Sequence, residues 1–263
     1  MSKVDDYRKQ LQGLEDWHDF LVAESHLPGP RGNLELAAAV ADEAPSDWLY
    51  AHVAASAEEA PENTPACFIV CCATQGLGRL AAMGDAQAIM GLRALASDER
   101  WRVRESVAMA LQRLGDADFD RLLAVAGEWS EGGPLEQRAA AAAICEPRLL
   151  TDDRHAGRVM AILDRITRSI EASTDRRSEA FRALRQGMGY CWSVAIAAWP
   201  EAGKAAFEAW LDTSNADVRW VLRANLKKNR LARMDAPWVK CYKERLTVQG
   251  NRKDSRRFVE RFS

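Results

Sequence analysis

Val103-Arg104-Glu105-Ser106-Val107-Ala108-Met109-Ala110-Leu111 and Val218-Arg219-Trp220-Val221-Leu222-Arg223-Ala224-Asn225-Leu226 are two versions of one amphipathic segment. Aligned on the arginine, Val103 meets Val218, Val107 meets Leu222 and Leu111 meets Leu226. Residues four apart share a helix face, so the same face is apolar in both. Arginine recurs in related surroundings at Arg138 and Arg177, and the successive spacings of the four are 34, 39 and 42 residues. Irregular self-similarity in this range is expected of stacked helix pairs, because a single pair cannot bury its own apolar face.

The remainder of the chain fits that reading. It has 263 residues, 48% of them apolar, enough for a continuous core. Alanine dominates the apolar share, as in the run 139–143, which favours close-packed helices over strands. The predicted class is all-α. Residues 3–24 read as a helical cap with Leu11, Leu14, Trp17, Phe20 and Leu21 on one side, ending at the breaker 27–33. Helices are then expected from Asn33 and from Ser46, and over 65–83 with an interruption or kink near Gly76 and Gly78. Further segments follow over 85–96, over 101–114 with a turn at Gly115-Asp116, and over 119–129, 134–145 and 154–170. A boundary is expected at Pro200, a short helix over 205–211, a basic helix over 219–230 and a last one over 238–246. The division predicted is a cap over 1–33, a repeat domain over 34–247 and a flexible basic tail over 248–263.

The N-terminal residues contain no apolar leader, and the longest wholly apolar runs, 66–73 and 139–145, are too short to cross a bilayer. The expectation is a cytoplasmic protein without a membrane partner. Six cysteines, with Cys71 and Cys72 adjacent, form no disulfide framework and suit a reducing compartment. His18, His26, His52 and His155 are isolated from one another, so no metal or cofactor is expected.

With Asp98 and Asp217 preceding Val103-Arg104 and Val218-Arg219, the chain resembles the HEAT-repeat (ARM-type) proteins. The resemblance implies a curved, right-handed α-solenoid of about five or six antiparallel helix pairs with a concave inner surface. It also implies that Arg104, Arg138, Arg177 and Arg219 are structural repeat arginines, with Asp98 and Asp217 the first candidates for partners of Arg104 and Arg219.

Net charge is −2, but residues 219–263 carry 14 Lys or Arg against 4 Asp or Glu, a net +10. Within them Arg223, Lys227 and Arg230 recur at helical spacing beside Lys228, a row of cations suited to phosphates. A solvated helix end would carry the same residues. Among nine tryptophans, Trp192 and Trp220 are candidates to stack on a base or anchor an interface, against the alternative of core filling. A weaker resemblance is to AlkD-type HEAT-like DNA glycosylases, whose pattern sets a carboxylate four residues after a tryptophan. Trp101 and Glu105 have that spacing, with Glu where the family has Asp, and are the weak catalytic candidates.

The expectation is a non-enzymatic binding or scaffold module that recognises a protein partner or a nucleic-acid phosphate backbone. The alternative is a glycosylase or DNA-binding protein of alkylation repair. Placement of Trp101, Glu105, Trp192 and Trp220 separates them: an open cationic groove favours nucleic acid, and burial favours a scaffold.

Overall fold

The computed structural model describes residues 2–247, and every regular element among them is helical. The expected basic tail over 248–263 lies outside the described residues. The chain divides into two compact units, residues 1–125 and 126–263, a boundary that no composition change marks.

The first unit holds α1 (Lys3–Gln12), α2 (His18–Glu24), α3 (Leu34–Glu43), α4 (Ser46–Val53), α5 (Pro65–Ala82), α6 (Ala86–Leu95) and α7 (Trp101–Ala117). Helix α5 lies between α3 and α7, and α4 and α6 also pack on it. The side chains of Cys67, Leu77, Val103, Val107 and Leu111 are fully buried at its contacts. By length and mean hydropathy (1.3) the 18 residues of α5 could span a membrane, although 78% of them are buried among the other helices. Counting wholly apolar runs overlooked this helix because Thr74, Gln75 and two glycines interrupt its apolar letters.

Those glycines do not interrupt α5, which is continuous. A Cβ on Gly76 would collide with Leu49 of α4, and one on Gly78 with the backbone of Ala110 in α7. Their role is close approach between helices. Gly84 does need its freedom: at φ 103° it ends α5, with its N–H donating to Ala81 O and that of Asp85 to Leu80 O. This pairing satisfies helix-end carbonyls. Asp85 then caps α6 by accepting from Gln87 and Ala88.

Two other boundaries differ from expectation. The cap breaks into α1 and α2 at Gly13. Helix α7 runs through Gly115-Asp116 to Ala117, because extended Asp118 both ends it and accepts the Arg121 N–H of the next helix at 2.9 Å.

Helix α8 (Phe119–Trp129) crosses the boundary between the units. The second unit continues with α9 (Pro134–Ile144), 3-10 turns at Pro147–Leu149 and Asp153–His155, α10 (Ala156–Ala172), α11 (Glu179–Ala198), α12 (Pro200–Glu208), α13 (Ala216–Leu226) and α14 (Asn229–Met234). Residues 236–247 are helical as well. Helix α11 lies between α9 and α13, while α10, α12 and α14 also pack on it. Each unit therefore repeats the same relation, in which alternate helices stack and the intervening ones cover them, consistent with a stacked-repeat architecture. Pro200 stands at the expected boundary, between α11 and α12, and it starts α12 because a first helical residue needs no N–H partner, so that helix covers Pro200–Glu208 and not the expected 205–211. The basic segment over 219–230 is split: α13 stops at Leu226 and Arg230 belongs to α14.

Arg104 and Arg219 are the fourth residues of α7 and α13, and both are buried. Arg219 does not pair with the expected Asp217 carboxylate, and Arg104 reaches Asp98 through its backbone carbonyl. Arg104 donates to the carbonyls of Asp98 (2.7 Å) and Glu99 (2.9 Å), and Arg219 donates to that of Leu246 (2.6 Å). The Asp98 carboxylate is taken instead by Arg100, at 2.9 and 2.7 Å. Arg100, only 3% exposed, also donates to the carbonyls of Ala55, Ser56 and Ala60, tying the turn after α4 to the start of α7. Arg177 lies exposed ahead of α11, so it occupies no helical position equivalent to Arg104. In α9 the equivalent fourth residue is buried Gln137, next to Arg138, and it donates to the carbonyls of Ser130 (3.1 Å) and Gly132 (3.0 Å).

Candidate functional site

A cluster of cations in the second unit lies between α11 and α13. Ser178 caps α11 by accepting from Phe181 N, and Asn215 caps α13 by accepting from Asp217 N and Val218 N. The two helices are drawn together at Gly189, where a Cβ would meet the Trp220 ring at 3.0 Å and Ala224 at 3.1 Å. One turn on, buried Asn225 of α13 accepts from Ser193 N (2.8 Å) and donates to Met188 O (2.8 Å) and Val221 O (2.8 Å). A side chain bonded this way to the backbone of both helices holds their register.

Above this contact a groove of about 760 Å³ opens, lined by Arg182, Arg185, Trp220, Arg223, Lys227 and Lys228, with Gly189 and Ala224 at its base. Arg182, Arg223, Lys227 and Lys228 have no carboxylate partner among the described residues. Arg185 is anchored by Asp217 at 2.5 Å, and Asp217 also meets Arg176 at 3.4 Å. The Arg185 guanidinium lies 4.8 Å from the centre of the Trp220 ring. Half-exposed Tyr190 has Lys228 at 5.4 Å and Arg230 at 4.6 Å from its ring centre, and Arg230 also donates to its hydroxyl. Beneath the groove, burial and the nearby charge of Arg223 lower the proton affinity of Arg219.

Of the residues singled out by sequence, Arg223, Lys227, Lys228 and Trp220 line this groove, and Arg230 sits on Tyr190. Trp192 does not: it is fully buried and its indole N–H donates to Thr167 Oγ1 at 3.1 Å. Its position on the inward face of α11 removes it as a ligand contact. Trp101 and Glu105 line a pocket of the first unit whose walls are largely apolar. The sequence reading missed Arg182, Arg185 and Tyr190, although Arg182, Arg185 and Gly189 follow the same helical spacing used to find Arg223 and Lys227.

Among the described residues no group of three His, Cys, Asp or Glu side chains comes together to hold a metal ion. The six cysteines are unbridged, five of them buried and Cys241 exposed. No protein-family model, curated protein or solved structure matches the chain. What the fold defines is an all-helical protein with a regular pattern of helix-pair contacts, and the groove is a basic surface on its second unit.

Proposed function

We propose that the protein is a non-catalytic helical binding module that holds a nucleic-acid strand in the α11–α13 groove. The observation that carries this reading is the set of cations without carboxylate partners, Arg182, Arg223, Lys227 and Lys228, gathered around an exposed tryptophan. Cations left without counter-charges at one groove neutralise successive phosphates, and the release of condensed counterions then supplies affinity without sequence preference. Trp220, 38% exposed, and Tyr190, 41% exposed, set aromatic rings among these cations, and an unpaired base stacks there by taking the place of Arg185 on Trp220 or of Arg230 on Tyr190. Aromatic faces beside cations suit a single strand better than a duplex, whose bases are already stacked.

The test is a fluorescence titration of labelled single- and double-stranded DNA and RNA at low salt. Binding to single strands is expected, with log K falling against log salt at a slope near about −3 for four phosphates. Replacing Arg223, Lys227 and Lys228 together with glutamine should flatten that slope and leave the circular dichroism unchanged. No binding to any of the four nucleic acids at low salt overturns the reading and turns the groove over to an acidic protein segment.

A further inference from the structure

The first unit carries a pocket of about 300 Å³ between α3, α5, α7 and the loop before α3. This is near the lower end of volumes that hold small molecules. Leu27, Phe68 and Met109 supply apolar walls, and Trp101 stands at the pocket with 46% of its surface exposed. Trp101 is backed by the Arg102 guanidinium, 4.6 Å from its ring centre. Arg102 is in turn held by Glu62 (2.9 Å), Gly29 O (2.7 Å) and Asn63 (2.9 Å), so this aromatic wall rests on a fixed support.

Two polar side chains of the lining are almost wholly buried, Ser106 at 3% and Gln75 at 5% exposure. Ser106 is directed to the Cys71 thiol, which its hydrogen bond with Cys67 and its burial keep protonated. Gln75 differs. Its carboxamide, a donor beside an acceptor, makes no hydrogen bond among the described residues, although it sits in the middle of the core helix α5. The residue is only 5% exposed, but its amide edge stays open to the pocket, so the pocket is the space from which a ligand can replace water on this one donor-acceptor pair.

We propose that the pocket binds a small, flat, uncharged molecule that is mostly apolar and carries a donor beside an acceptor on one edge, as a primary amide or lactam does. The apolar body lies against Phe68 and Trp101, and the amide edge pairs with Gln75. This site is independent of the basic groove, since an uncharged probe gains nothing from the cations of the second unit.

The test uses benzamide and acetophenone, which match in shape but differ in that only benzamide has an N–H donor. Titrations of the full chain followed by NMR should show benzamide binding about tenfold more tightly, with the Gln75 side-chain amide resonances shifting for benzamide. Gln75→Met, close in volume, should erase the preference while retaining the melting temperature. Ala37→Leu, which fills the pocket, should weaken both probes. Failure of both probes to perturb the wild-type pocket resonances, or a preference that survives in Gln75→Met, overturns the proposal. Should Gln75→Met not fold, the wild-type Gln75 resonances decide alone: no shift with saturating benzamide sinks the proposal.

Discussion

Arg185 of α11 lies over the Trp220 ring of α13 at 4.8 Å while its Nη1 is held by Asp217 at 2.5 Å, so one carboxylate fixes both a cation and the aromatic face beneath it. Asp217 is buried and also meets Arg176. Asp217→Asn removes the negative charge that offsets these arginines and leaves the groove more positive. Single-strand affinity at low salt should rise roughly 2–5-fold, since local potential governs polyanion binding. Stability should fall by about 1–2 kcal/mol, because the residue also sits in the first turn of α13. Thermal denaturation and the titration are to be measured together. An affinity that does not rise would separate Asp217 from the charge balance of the groove.

The Arg100 hub predicts a large effect from one substitution in the first unit. Arg100→Met leaves the carbonyls of Ala55, Ser56 and Ala60 without this donor and Asp98 without its closest cation. Removing one partner of a buried ion pair costs about 3–5 kcal/mol. Urea denaturation should show that loss. A change under about 1 kcal/mol would mean that the hub is replaceable by solvent.

Two glycines give opposite expectations for the same mutation. Gly78→Ala drives a methyl into the Ala110 backbone, so α5 and α7 must separate, at a cost of about 1–3 kcal/mol. Gly127→Ala, inside α8 with open space around its Cβ, should stabilise by about 0.5–1 kcal/mol through helix propensity. Melting temperatures moving the same way in both variants would contradict the close-contact account.

Tyr50 and Asp85 set a pH dependence at both ends of the range. Burial first, and then the hydrogen bond to Asp85 at 2.7 Å, push the Tyr50 phenol up to about 12. An unfolded tyrosine ionises near about 10, so the stability contributed by neutral Tyr50 is complete below that pH and is lost as pH rises toward 12. The same bond holds the Asp85 carboxyl below its ordinary range. Its contribution is present above about pH 4 and lost as pH falls through the folded value. Denaturation midpoints across pH should show both slopes, and Tyr50→Phe should reduce the alkaline one, leaving the part that Tyr242 and the buried thiols Cys71, Cys72 and Cys145 contribute.

Repetition was legible in the sequence wherever a side chain's role depends on its own helix. Val103 and Val218 precede arginines at the same helical position, and all four residues are buried as that pattern implies. The identity of the arginines' partners was not legible. Arg104 and Arg219 bond backbone carbonyls, which carry no signature in the amino-acid letters, and Arg100 reaches carbonyls 40 to 45 positions away. Gln137 escaped notice for the same reason: it bonds carbonyls much as Arg104 does but carries no charge. In the groove, the α13 cations follow from helical spacing, whereas the contribution of Arg182, Arg185 and Tyr190 depends on Gly189 and Asn225 bringing α11 alongside. The pocket around Gln75 gave no signal, because a glutamine amid apolar letters reads as an interruption until its surroundings are known.

Five of the six thiols are shut inside the helical packing, and Cys241 alone faces solvent. Burial raises Cys72 and Cys145 well above the ordinary thiol range, and Cys71 is raised first by its bond with Cys67. Alkylating reagents attack exposed thiolate, so the native chain should accept one maleimide fluorophore, on the helical segment over 236–247, without any cysteine being removed. The wild-type protein thereby comes with its own spectroscopic handle, and uptake of further label on heating would count the molecules whose helices have come apart.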